Sequence, residues 1–387
     1  MLTIEQIDPS NRTQLHRFVD LPYHIYTGNK NWVPPIRIDV ETALNRKKHP
    51  FYEHSEADFF IATRDGKDVG RLSIAVNNNY NKYHGTKKGQ FYFFECDQDF
   101  EIAQALFNRA FDWARQRGLD TVIGPKGFAA LDGYGMLVEG FEHRQMMTMM
   151  NYNPPYYPKF MEQLGFEKEV DFISCYAEVD NFLVPERVHR IAERVLQRGV
   201  LNVKRFASKR ELVEWAPKIG DTYNRTFVNN WEYAPLTERE VKFVVDNIIT
   251  IADHRLIKII SHKEDPVGFL FGFADVSAAI QRSKGRLFPF GLLDILLEMR
   301  RTDWISVNGA GILPEFQGHG GNALLYSEME KTVREYKHFK YADMTQVAET
   351  AVNMRNDLIA GFTVELHQIH TIRFEAPIGG LGKDTYS

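Results

Sequence analysis

Between Trp304 and Tyr326 the chain reads WISVNGAGILPEFQGHGGNALLY, an apolar strand running into a glycine-rich turn that opens a helix. The first N–H groups of a helix have no partner within it, and glycines let the backbone aim them at one point. An anion is the expected occupant of such a point. Gln317, Gly318, His319, Gly320, Gly321 and Asn322 therefore form a candidate site for a phosphate-bearing ligand. The spacing fits neither Gly-x4-Gly-Lys-Ser/Thr nor Gly-x-Gly-x-x-Gly, which argues against the two common nucleotide loops.

The same succession of elements is predicted twice. In the first half, strands at 59–63 and 69–76 flank an Asp65-Gly66 turn, a hairpin signal. A strand at 91–95 leads to a helix at 100–117, where Ala103, Leu106, Phe107, Ala110, Phe111 and Ala114 recur at helical spacing. A strand at 121–124, a helix at 156–164 and a strand at 172–179 follow. The second half repeats this order with a hairpin at 256–260 and 267–273, a strand at 304–313 and a helix at 320–336. A strand at 341–347, a helix at 351–359 and a strand at 367–374 close it. Repetition at half the chain length implies an internal duplication and two domains, 1–180 and 181–387. Residues up to about 51 read as irregular chain fixed by Trp32-Val33-Pro34-Pro35. A basic amphipathic helix at 186–198, a helix at 209–215 and a helix capped by Thr237 and Glu240 open the second domain.

At 387 residues, with 47 basic and 51 acidic side chains, the chain lacks the positive field that nucleic-acid binding relies on. Two cysteines, Cys96 and Cys175, cannot form a disulfide framework and argue against a cysteine-ligated metal. The N-terminus lacks the order of a signal peptide, and no run approaches the roughly 18 apolar residues of a membrane span. A cytoplasmic protein without metal, with at most peripheral membrane contact, is expected.

The turn resembles motif A of the GCN5-related N-acetyltransferases (GNATs), Q/R-x-x-G-x-G/A. Gln317 and Gly320 match, while Asn322 stands at the last small position, where Asn tolerates a left-handed backbone. Ile312-Leu313-Pro314-Glu315-Phe316 resembles the family's approach to that turn. WVPP, GRLSIAVNN, GPKGF, PPYYPKFMEQLGF, DVSAAIQR and the 308–331 stretch also resemble a bacterial group of tandem acetyltransferase-like proteins that includes a bacterial ceramide synthase. The resemblance implies an α/β (α+β) fold of two tandem GNAT-like domains, each a mixed, mostly antiparallel sheet flanked by helices. It implies N-acyl transfer from acetyl-CoA or a longer acyl-CoA to a small-molecule or lipid-like amine.

By the same resemblance, strands before and after the motif helix splay apart into a slot for the pantetheine arm. Amides near Ile312 and Leu313 would bind that arm, and Asn353 on the following helix is a further candidate contact. That helix has no tyrosine, the residue the family pattern would use as acid. Asn308, Asp343 and Gln346 interrupt apolar strands and are the candidate catalytic side chains; each could instead satisfy buried backbone groups. His319 either assists a phosphate or faces solvent. Arg282 and Arg286 either reach the 3′-phosphate of coenzyme A or solvate a loop.

In the first half, Glu95, Asp97, Asp99 and Glu101 occupy the corresponding helix start and would repel a pyrophosphate. That half is expected to be a degenerate copy with a self-capped helix that shapes the substrate cleft. Residues 275–301 form an extra apolar segment, either core packing or a wall for an acyl chain. A non-catalytic acyl-CoA sensor or scaffold is the alternative function, and transfer from aminoacyl-tRNA is disfavoured by the charge balance.

Overall fold

The computed structural model describes residues 1–129, 132–146, 150–179, 184–228, 233–350 and 367–378. The chain forms two compact units. Unit 1 comprises Met1–Phe172, Ser277–Asp294 and Ile369–Ser387; unit 2 comprises Ile173–Val276 and Ile295–Gln368. This division differs from a single cut at 180, because two segments from the second half of the sequence complete the first unit.

Unit 1 begins with β1 (Leu2–Gln6), α1 (Arg12–Ile25) and α2 (Arg37–Leu44). The hairpin β2 (Glu56–Arg64) and β3 (Lys67–Val76) follows, then α3 (Asn78–His84) and β4 (Lys88–Cys96). Next come α4 (Phe100–Gln116), β5 (Thr121–Gly124), β6 (Met136–Glu139), α5 (Tyr157–Gln163) and β7 (Glu167–Glu178), whose residues from Ile173 onward belong to unit 2. Asp65 and Gly66, both at positive φ, make the tight hairpin turn. Strands β1 to β5 pair in order, antiparallel except for the parallel pair β4–β5.

Both faces of this sheet are covered, which the alternation along β2 records. Phe60 and Ala62 join Leu106, Phe107 and Ala110 of α4, whereas Phe59 and Ile61 join Phe18 of α1 and Val40 of α2. The first fifty residues are therefore not irregular. Asn11 caps α1 by accepting from the amides of Thr13 and Gln14, and Phe18, Val19, Leu21 and Pro22 bury its apolar stripe. Pro22 inside the helix masks that stripe from a sequence reading.

Unit 2 contains α6 (Glu186–Arg198), β8 (Asn202–Lys204), α7 (Lys209–Thr226), α8 (Glu238–Ile251), β9 (Ile257–His262) and β10 (Asp265–Ala274). In chain order α9 (Ser277–Ser283), which belongs to unit 1, and α10 (Gly291–Arg301) follow, and unit 2 continues with β11 (Trp304–Ile312), α11 (Gly321–Tyr336) and β12 (Tyr341–Ala348). The sheet order is β8-β9-β10-β11-β12, parallel only at β11–β12. α6 packs on α11 over one face, and α7 and α8 cover the other. α7 runs well past 215, through Pro217, because Leu212, Ala216, Ile219, Thr222 and Thr226 continue one buried face. The expected Thr237–Glu240 capping box is present on α8.

The last strand, β13 (His367–Pro377), pairs antiparallel with β5 and β6 in unit 1. α9 and the turn after it dock in the same unit. Arg37 N–H donates to Gly285 O, the Tyr23 hydroxyl to Lys284 O, and Gln281 Nε2 to Trp32 O. The helix expected at 351–359, with Asn353, lies outside the described residues.

Candidate active site

The two strands that precede the motif helices carry the same irregularity. In unit 2, Leu270 pairs with Ala310 and Gly272 with Val307, so β11 has one residue more than β10 across that interval. Gly309, at φ +85°, absorbs the extra residue as a β-bulge. In unit 1, Arg71 pairs with Glu95 and Ser73 with Tyr92, and the bulged residue is Phe93 at φ +48°. β11 pairs with β12 from Trp304–Tyr341 to Val307–Met344, just before the bulge. β4 pairs with β5 from Lys88–Thr121 to Gln90–Ile123, again ending before it.

Beyond its bulge, β11 leads through Pro314–Phe316, a short 3-10 turn, to the glycine turn. Gly318 and Gly320 adopt φ of +77° and +82°, and Gly320 is the N-cap of α11. Leu324 makes the first helical bond, to Gly320 O, so the amides of Gly321, Asn322 and Ala323 precede the hydrogen-bond ladder. The N-cap, being glycine, offers them no capping side chain. A Cβ on Gly320 would meet Val195 Cγ2 of α6 at 2.7 Å, and one on Gly321 would meet Ile260 and Ile312 at 2.8 Å. Close packing and left-handed backbone thus both require glycine here. Asn322 is helical and exposed, so its departure from a small residue needs no left-handed backbone. His319 is exposed, with Nδ1 3.1 Å from Gln317 O.

Gln317 braces the approach by donating from Nε2 to Ile312 O at 3.1 Å. Leu313 N–H donates to Val267 O at 2.9 Å, so its amide is occupied, contrary to the expectation that it is open. That bond flanks the Gly268–Ile312 pair, a non-hydrogen-bonded pair in the antiparallel ladder. Ile312 therefore directs its N–H away from β10, toward the side where β12 lies and where the described pairing has ended. Of the two expected amides, Ile312 has the geometry to meet a ligand.

Ser306 and Asn308 lie two residues apart on β11 and share a face, and Asp343 stands opposite Ser306 on β12. The Ser306 hydroxyl donates to Asp343 Oδ2 at 3.4 Å, and Asp343 is buried. Asn308 is only 8% exposed, yet its Nδ2 has no hydrogen-bond partner among the described residues. A buried donor left unpaired costs about 1–3 kcal/mol. This face is the one α7 and α8 cover, since Ser306 pairs with Phe273 of that core. Between α7 and α8 lies a cavity of about 80 Å³ lined by apolar side chains including Ile219, Tyr223, Leu236, Ile248 and Phe271. Phe271 also reaches the bulge, 3.2 Å from where a Gly309 Cβ would stand. Gln346 belongs to β12, but its side chain lies outside the described residues.

Sequence reading did not single out Ser306, Gly309 or Phe271. Gly309 had a signal, since an isolated glycine inside an apolar strand marks a bulge. Arg194 and Arg198, exposed on α6, flank the Ile191–Val195 contact to Gly320 by helical spacing. That spacing sets both on the α6 face that meets Gly320. Arg282, a candidate either for the 3′-phosphate or for a solvated loop, is bound by Asp294 at 2.9 Å, while Arg286 is exposed.

In unit 1 the α4 N-terminus is filled by its own chain. Asp99 accepts from Glu101 N–H at 2.9 Å, Arg64 bridges Asp99 and Glu101, and His24 lies 3.3 Å from Asp97. The Arg64 guanidinium holds the Asp99 carboxyl below the usual carboxylate range. The slot beside the Phe93 bulge persists as a cavity of about 260 Å³, lined by Trp32, Tyr92, Glu95, Asp132 and Tyr152 among others. Arg71, buried at its wall, pairs with Glu95 at 2.6 Å.

No family model matches the chain. It is 28% identical over 325 residues to a bacterial ceramide synthase of Caulobacter vibrioides, an alignment covering 83% of this chain and 84% of the relative. Protein YghO of Escherichia coli is 25% identical over 356 residues, 90% and 89% of the two chains. Among solved structures, a tandem GNAT protein from the clavulanic acid biosynthesis pathway superposes with a TM-score of 0.56 at 12% identity, over 98% of this chain and 99% of that one. With two bulged strands, each followed by a motif helix, and this likeness along its whole length, the chain has the tandem GCN5-related N-acetyltransferase fold.

Proposed function

We propose that unit 2 binds an acyl-CoA at the α11 N-terminus and transfers its acyl group to an amine by direct attack. The observation that carries this reading is the uncapped helix start behind a bulged strand whose described pairing with β12 ends before the bulge. The first-turn amides would take the pyrophosphate, with Arg194 and Arg198 adding charge, and Ile312 N–H would hold the pantetheine arm. The amine nitrogen attacks the thioester carbonyl carbon; the C–N bond forms and the C–S bond breaks. Asn308 Nδ2 is assigned to the carbonyl oxygen as negative charge develops there. Asp343, with Ser306, is assigned the proton leaving the amine; Gln346 is a further candidate on the same strand. The departing thiolate takes a proton from solvent.

The apolar cavity between α7 and α8, joined to the bulge through Phe271, supports a hydrocarbon-bearing substrate over a wholly polar one. Each buried methylene contributes about 0.8 kcal/mol. The name of the Caulobacter relative points the same way, toward a lipid-like amine. Isothermal titration with acetyl- and palmitoyl-CoA, followed by thiol release in the presence of long-chain amines, tests the reading. Saturable binding with amine-dependent thiol release is expected. Binding without turnover would support a sensor, and failure of a folded protein to bind either thioester would overturn both.

A further inference from the structure

Five of the large apolar side chains exposed among the described residues fall within ten positions: Phe288 (72%), Phe290 (75%), Leu293 (56%), Leu296 (45%) and Leu297 (44%). Leu293, Leu296, Leu297 and Arg300 follow i, i+3, i+4 and i+7 spacing, so they share the outer face of α10, whereas Ile295 is buried. Contiguous exposed apolar surface of this kind marks an interaction site.

The segment is built, not loose. Gly285 N–H donates to Ile280 O, Leu292 N–H to Leu287 O, and Arg282 bridges to Asp294 at 2.9 Å. A Cβ on Gly291 would fall 1.8 Å from Arg286 O, so the chain before α10 is folded tightly against its start.

Charge decides what covers the patch. Residues 277–301 contain five basic and two acidic side chains, in a chain of net charge −4. Lys284, Arg286, Arg300 and Arg301 are exposed at the two ends of the apolar run. Phenylalanine and leucine rimmed by lysine and arginine match an anionic lipid surface, with its hydrocarbon beneath a layer of phosphates. At 11 residues α10 is roughly 16 Å long, about half a bilayer core, and no helix among the described residues is long and apolar enough to cross one.

We propose that the 288–297 face lies in the headgroup layer of an anionic membrane, Phe288 and Phe290 reaching the acyl boundary and Arg286, Arg300 and Arg301 meeting lipid phosphates. The proposal does not depend on the acyltransferase reading. Flotation of the full chain with phosphatidylcholine vesicles containing phosphatidylglycerol is the test, against phosphatidylcholine alone. Binding to the anionic vesicles is expected, weakened by salt and lowered about tenfold by Phe288→Ser with Phe290→Ser. These side chains are exposed, so the thermal midpoint should not fall. Should the double variant misfold, a bimane label on Leu297→Cys, the natural cysteines being buried, must be quenched by brominated lipid. No flotation, flotation equal with neutral vesicles, or an unquenched label overturns the proposal. So does a concentration-dependent dimer in ultracentrifugation that the double variant abolishes, which would assign the face to a second copy.

Discussion

The N-termini of α4 and α11 stand at matching places in a duplicated architecture and have opposite chemistry. Both follow a strand with a bulge at positive φ, Phe93 in one and Gly309 in the other. At α4 the positive end of the helix is met by Asp99 and Glu101, themselves neutralised by Arg64. At α11 glycines replace the carboxylates, and the N-cap, Gly320, has no side chain to cap the amides. A helix start can serve its own stability or a ligand; α4 takes the first use, and α11 is proposed to take the second.

The largest effect should come from making the second site resemble the first. Gly318 has φ +77°, and nothing lies within 4 Å of the position its Cβ would take. Asp tolerates that conformation better than most residues, so Gly318→Asp places a carboxylate at the turn without a clash. Acyl-CoA affinity is expected to fall about a hundredfold, with little change in melting temperature, by titration calorimetry. Undiminished affinity would move the ligand away from α11.

Next in size is Asn308→Ala. Removing an oxyanion donor typically lowers kcat by about 10²-fold or more, and removing an unpaired buried amide leaves stability unchanged or raised. Lower kcat with unaltered KM and an undiminished unfolding midpoint is therefore expected. A loss of stability matching the loss of rate would make Asn308 structural.

Smaller again is Asp99→Ala in unit 1. Loss of this cap should cost about 1 kcal/mol in urea unfolding and leave acyl-CoA affinity untouched. Affinity that falls with it would contradict the division between the halves.

What can be read from the sequence is local. The Asp65-Gly66 turn, the Thr237–Glu240 capping box and the stripes of α4 and α11 each depend on residues within a few positions of one another. So does the glycine turn, and so does the self-capped start that the carboxylates give α4. α1 and the second half of α7 escape such a reading because Pro22 and Pro217 sit inside stripes that tertiary packing nevertheless buries. The assignment of residues 277–294 and β13 to unit 1 depends on bonds such as Arg37 to Gly285, 248 positions apart in sequence, which no local pattern encodes. The occupied amide of Leu313 depends likewise on register with β10.

The two units also differ in their buried cations. Arg71 on β3 has a carboxylate partner, Glu95, at 2.6 Å. Lys258 on β9 has two neutral acceptors, Thr332 Oγ1 and Arg255 O, each at 2.6 Å. Burial dominates and pushes the Lys258 ammonium down to about 8. Its folded pKa lies below the unfolded value, so between about pH 8 and 10.5 the unfolded chain binds more protons and this residue's contribution to stability rises with pH. Below about 8 the cost of burying the charge is constant. Lys258→Met should therefore be favoured most at pH 7, relative to the wild type, and lose that margin, about 1–3 kcal/mol, as pH approaches 10.5. Urea unfolding of both proteins at pH 7 and 10 measures it. The change in margin is the informative quantity, since the lost bonds to Thr332 and Arg255 shift both pH values alike. A margin that does not shrink would mean that the ammonium is solvated in the folded state, and that the packing of α11 over β9 is looser than the contact with Thr332 implies.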